Sequence, residues 1–141
     1  MKIVVAVLDT MWGDRSGPAP RYFQINPNNH SGKRLYKLLD GKAHLLVTNA
    51  CRRMVNHATK HGKPDPEWLE QNLEHLDADL VLVCGSIAKK TLKIVAESRL
   101  RCMGHENGIG RKFIHIPHPA ARCWSKRRLR EAQRAIGKAL A

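Results

Sequence analysis

A chain of 141 residues, 43% of them hydrophobic, has the size and apolar content of one folded domain and falls outside the disordered and fibrous classes. Twenty-five Lys and Arg against twelve Asp and Glu leave a net charge of +13, which favours a polyanionic partner, nucleic acid above all. No run approaches the ~20 apolar residues of a membrane span, and the apolar start Met1–Leu8 is stopped by Asp9, short of a secretory segment.

Lys2–Leu8 (KIVVAVL) is a continuous valine-rich run, the pattern of a strand covered on both faces. Met11–Asn29 reads as a loop, rich in Gly, Pro and Asn and long for a connector. Ser31 is placed to cap a helix carrying Leu35, Leu38 and Leu39. Leu45–Thr48 is a second buried strand. Asp65 followed by Pro66 is an N-cap with proline at the first helical position, and Leu69, Leu73 and Leu76 follow at helical spacing. Leu80–Cys84 is a third strand. Gly85-Ser86 opens a helix with Ala88, Leu92 and Val95 on one face, and Ser98–Arg111 reads as a loop. Phe113–Pro117 is a fourth strand, with Phe113 and Ile116 expected in the core. Ser125 opens the last helix, with Leu129, Ala132, Ile136 and Leu140 inward and arginines outward. Strands alternating with helices imply a three-layer α/β/α fold around a central, mostly parallel four-stranded sheet, in one domain spanning residues 1–141.

In open parallel sheets, ligands bind outside the carboxyl ends of the strands. Asp9 and Thr10 follow the first strand there, Asn49 the second, Gly85-Ser86 the third and His118-Pro119 the fourth. A carboxylate, a carboxamide, a small turn and an imidazole are thus expected on one edge. Pro117 and Pro119 restrict the backbone around His118, so the ring is presented with little entropy left to lose. Arg122, Lys126, Arg127, Arg128, Arg130, Arg134 and Lys138 lie on or next to the last helix, offset locally by Glu131 alone. Arg52, Arg53, Lys60 and Lys63 follow the second strand. Both groups read as holding a phosphate backbone on either side of the edge. Cys51, Cys84, Cys102 and Cys123 lie far apart with no zinc-like spacing, so free thiols in a cytoplasmic or nucleoid-associated protein are expected.

The stretch LLVTNACRRMV followed by PDPEWLEQNLEHLDADLVLVCGSIAKKTL, within Leu45–Leu92, resembles the uracil-DNA glycosylase superfamily: a strand ending in Asn, a helix opened by Pro, and an apolar strand ending in a Gly-x-x-Ala turn. HSGKRLYKLL at His30–Leu39 is similar to the helix start after that family's first motif, and HPAAR at His118–Arg122 to its His-Pro-small second motif. The resemblance implies DNA as partner and removal of uracil or a related modified pyrimidine by flipping the base and hydrolysing its N-glycosidic bond. It implies that Asn49 reads the base edge, with Phe23 and Ser86 also at the base. It implies that His118 stabilises charge on the departing base, and that Asp9, or failing it Asp14, positions water or offsets the cationic sugar. Asn28 stands where the family's stacking aromatic is expected, so Tyr22, Phe23 or Trp12 substitutes. Arg122 or Trp124 corresponds to the wedge that fills the emptied stack, with Trp124 favoured as core. Arg52, Arg53, Arg122, Lys126, Arg127 and Arg128 then hold the DNA backbone. Only Cys51 lies near a cluster position of the iron–sulfur branches, so no metal and no cofactor are expected. Small size and self-repulsion favour a monomer. The first motif, LDTMWGDRSGPAP, departs from the family's pattern. That departure leaves two alternatives: a DNA-binding member that no longer cleaves, and a base-modifying or nucleotide-processing enzyme reusing the pocket.

Overall fold

A computed structural model describes residues 1–10, 17–54, 62–103 and 112–141, with the backbone path alone for 17–18 and 96–103. Asp14, Trp12 and Lys60 lie outside the described residues. The elements are β1 (Lys2–Leu8), β2 (Gly17–Pro18), α1 (His30–Leu39), β3 (Ala43–Asn49), β4 (Arg53–Met54), α2 (Pro66–Glu74), β5 (Leu80–Cys84), α3 (Ser86–Met103), β6 (Phe113–Ile116) and α4 (Lys126–Leu140). β3, β1, β5 and β6 form, in that order, a four-stranded sheet whose neighbours are all parallel. This is the expected three-layer α/β/α arrangement.

The pleat sorts the core. Val4, Ala6 and Leu8 of β1 face one layer with Leu45, Val47, Leu80 and Leu82, under Leu35, Leu38 and Leu39 of α1 and Ile136 and Leu140 of α4. Val5, Val7, Val81 and Val83 face the other, under Leu69 and Leu73 of α2 and Ala88 and Leu92 of α3. Burial on both faces is why the central strands read as unbroken apolar runs. The register fixes the functional edge: Leu8 pairs with Asn49 and Cys84 with Ile116, so neighbouring strands finish level.

Several local expectations are corrected. Asn29, not Ser31, caps α1, its Oδ1 accepting the Gly32 N–H at 2.6 Å. A Cβ on Gly32 would collide with the Asn26 carbonyl oxygen, so the chain enters α1 too tightly for any other residue. α3 continues to Met103 rather than stopping before Ser98. No Gly or Pro interrupts the chain until Gly104, and Leu100, Arg101 and Met103 favour helix. Phe113 is 38% exposed rather than core. β6 is an edge strand, and its parity turns Ile114 and Ile116 inward and Phe113 and His115 outward. Within the described part of the first connector, β2 runs antiparallel to β4, and Phe23 exchanges both backbone hydrogen bonds with Val47 at 2.9 and 3.0 Å. Asp65 and Ser125 cap α2 and α4 as expected, accepting from the Trp68 and Arg128 N–H groups. Among the described residues, no helix is long and apolar enough to cross a membrane.

Candidate functional site

At the carboxyl edge, a cavity of about 400 Å³ opens on the α1–α4 side of the sheet. That is within the usual range of small-molecule sites, about 300–1,000 Å³. Its lining comes from the end of β1 (Leu8, Thr10), the segment paired to β3 (Phe23, Ile25), the start of α1 (Asn29, His30, Ser31), the end of β3 (Asn49) and the turn after β6 (His118, Ala120).

Asn49 reaches this cavity because it shares strand parity with Leu45 and Val47. Its side chain is fully buried, and neither Nδ2 nor Oδ1 has a hydrogen-bond partner among the described residues. A buried amide left unsatisfied costs about 1–3 kcal/mol, so the position is poor for stability and well suited to receive a ligand. Phe23 presents its half-buried ring at the same cavity, held there by the backbone bridge to Val47.

His118 is fixed from several directions. Its Nδ1 accepts the Ala120 N–H at 3.1 Å, and its carbonyl accepts from the Ala121 N–H and from Trp124 Nε1 at 2.9 Å. The acceptor role of Nδ1 assigns the proton of the neutral ring to Nε2. Burial lowers the ring's pKa from 6.5, against a smaller opposing pull from Asp9, so the ring is neutral at pH 7. Trp124 packs against the core while making this bond, as the core reading of that residue expected. Sequence reasoning missed Arg34. From α1 its Nη1 donates to the carbonyls of Pro119 at 3.0 Å and Ala121 at 3.4 Å, and its guanidinium lies 5.5 Å over the Trp124 ring.

Asp9 takes the opposite parity to Leu8 and turns towards the α2–α3 layer. Its Oδ1 accepts the Ala88 N–H in the first turn of α3 at 3.3 Å, where a carboxylate suits the helix dipole. A Cβ on Gly85 would sit 3.4–3.5 Å from both Asp9 carboxylate oxygens and 3.5 Å from His118 Cβ, so Asp9 and His118 flank this glycine. Gly85 has φ 95°, which restricts the turn to glycine independently of space. Ser86 heads α3 and is exposed. Neither Asp9 nor Ser86 lines the cavity, whereas Asn49, Phe23 and His118 do. Thr10, Ile25, His30 and Ser31 are among the other residues of the wall. The placement of a βα unit's helix start on this edge is the signal that locates His30 and Ser31.

The thiols of Cys51 and Cys84 are buried and free, with pKa values raised first by burial and further by Asp9, a hydrogen bond with the Thr10 side chain offsetting part of the rise at Cys51, so both stay protonated. The side chain of Cys102 lies outside the described residues. Among those residues, no group of three His, Cys, Asp or Glu side chains converges as a metal site. Arg52, Arg53, Arg122, Lys126, Arg127 and Arg128 are all exposed. The first two follow β3 and the others follow β6, the two edge strands of the sheet, so they stand towards opposite ends of the carboxyl edge.

Comparison with curated proteins returned no match. A family model described as "Uracil DNA glycosylase superfamily" matches residues 13–140. With that match spanning most of the chain, on the α/β fold described above, the protein belongs to the uracil DNA glycosylase superfamily, whose function is glycosylase-type action on DNA.

Proposed function

We propose that the protein flips a uracil or a related modified pyrimidine out of DNA into this cavity and hydrolyses its N-glycosidic bond, acting as a single-domain monomer. The observation that carries the reading is Asn49, a buried carboxamide with donor and acceptor both unsatisfied, lining a cavity that also carries His118. A pyrimidine imide edge offers the complementary acceptor and donor. Phe23 offers a ring face for stacking. Cleavage develops negative charge on the base and oxocarbenium character on the sugar. A neutral His118 with its proton on Nε2 is a donor for that base anion, held in place before the reaction begins.

Asp9 serves in this reading as a fixed negative charge behind the histidine, favouring the cationic sugar through space. The Ala88 N–H already occupies its Oδ1, which argues against water positioning by that oxygen. An oxocarbenium is electrophilic enough for neutral water to capture it, so a strong base is not demanded. Arg52 and Arg53 on one side, and Arg122, Lys126, Arg127 and Arg128 on the other, grip the phosphates flanking the extruded nucleotide.

One observation favours a second reading, a binder that no longer cleaves: among the described residues, none that lines the cavity is acidic. An end-labelled oligonucleotide with a single uracil separates the two. Excision yields an alkali-labile abasic site, lost in His118→Ala. Salt-sensitive binding without product supports the binder, and release of a different base or nucleotide overturns both.

A further inference from the structure

We propose that the flank formed by α1 and α4 is a track for a single DNA strand leaving the cavity, so that single-stranded or locally opened DNA is the form this site takes. The inference rests on the base-excision reading for the identity of the strand. Lys126, Arg130, Arg134 and Lys138 recur at every fourth position of α4, and all are exposed. Like charges at that spacing repel one another by a few tenths of a kcal/mol per pair, so the series costs the free helix stability that a polyanion restores. The acid on α4, Glu131, is engaged by Arg127 Nε at 3.1 Å, and α1 has no acidic residue.

The neighbouring helix extends the charge. Gln133 Nε2 donates to the Lys37 carbonyl at 2.8 Å, which places exposed Lys37 beside α4. Lys42 Nζ stands 2.8 Å from where a Cβ on Gly137 would be, so an ammonium lies over the helix at its smallest residue. The α4 series starts at the amino end of the helix, just after Trp124, which is bonded to the His118 turn, and runs back along the domain. Lys126 to Lys138 spans about 18 Å at 1.5 Å per residue.

That direction decides which form of DNA fits. A duplex is stiff over about 150 base pairs, and bending a short site by 40–90° costs roughly 1–6 kcal/mol. A duplex seated across the carboxyl edge meets the edge cations and passes over the flank. A single strand bends freely and can follow α4 once its base is in the cavity. Of the aromatic side chains on this flank, Trp124 is already stacked against Arg34 and bonded to His118, and Tyr36 of α1 is grouped with Ile3, Gln24 and Ala43 beside β3 rather than with α4. The track therefore reads phosphates and is indifferent to sequence.

The test uses the full chain and uracil-free DNA: a 20-nucleotide single strand, its duplex, and a five-nucleotide single strand. The double variant Arg134→Gln, Lys138→Gln is compared with wild type between 50 and 200 mM salt. Losing two phosphate contacts should flatten the salt slope on the long strand by about 1.4 units, shrinking its affinity loss over that range about sevenfold. The duplex and the short strand should be unchanged. Equal flattening on the duplex, or no change on any probe, overturns the proposal. Thermal unfolding checks that the variant folds, with a midpoint no lower than wild type once like charges are removed. Because no probe contains uracil, failure of excision leaves this result intact, and failure of the track leaves excision intact.

Discussion

Asn49→Leu should make the protein more stable and abolish its recognition of the base. Leucine keeps the branched shape of asparagine and replaces both amide atoms with methyl groups. In the native protein those two atoms are buried without partners among the described residues. Removing an unsatisfied buried amide returns about 1–3 kcal/mol, because no hydrogen bond is lost in exchange. For a chain of this size that corresponds to a rise of about 3 °C or more in Tm. Urea unfolding of the two proteins should show a higher midpoint for the variant with an unchanged slope, since the surface exposed on unfolding is the same. Uracil excision or uracil-dependent binding should vanish in the same variant, while affinity for undamaged DNA is retained. A lower midpoint would instead mean that Asn49 holds the fold through its amide rather than waiting for a ligand.

Four further outcomes follow from the geometry. The unfolded chain protonates His118 near pH 6.5 while the folded chain resists, so stability should fall as pH drops through 6.5 towards the depressed folded value; His118→Gln should remove that part of the slope in pH-dependent unfolding. In wild type, the acid limb of any excision activity should lie below pH 6.5. Gly32→Ala should destabilise by about 1–3 kcal/mol because its Cβ meets backbone, whereas Gly137→Ala should gain about 0.5–1 kcal/mol because it meets only the mobile end of Lys42; a pair of thermal unfolding curves checks both. Arg34→Met removes two hydrogen bonds from the His118 turn and should lower excision about a hundredfold with little change in affinity for undamaged DNA, measured by single-turnover kinetics and binding on the same preparation.

Much of this architecture is written locally. Val4 to Leu8 had to be covered on both faces, because a half-exposed strand would alternate, and that places β1 inside the sheet. Asp65-Pro66 and Ser125 are capping chemistry with few alternatives. Where two capping residues lie close together, as Asn29 and Ser31 do, the choice falls to packing: Gly32 against Asn26 decides it. Phe113 was misread because a four-residue edge strand offers no period by which to tell inward from outward. The candidate site was legible in Asn49, which ends β3, and in His118, which lies just past the end of β6. The orientation of Asp9 was also encoded, since strand parity opposes it to Leu8, but parity becomes informative only once the helices covering each face are known. Arg34 could not be found this way, because its carbonyl partner Pro119 lies 85 residues along the chain.

In the base-excision reading, a single base seats between the Asn49 carboxamide and His118 Nε2. Nitrogen-15 NMR of the protein with a short oligonucleotide carrying a non-hydrolysable deoxyuridine, against the same strand carrying thymidine, tests it most directly. Deoxyuridine alone should shift the Asn49 side-chain amide and the His118 Nε2 resonance, with the ring remaining neutral. Identical spectra with both strands, or uridine-dependent shifts confined to residues outside the cavity, would contradict it.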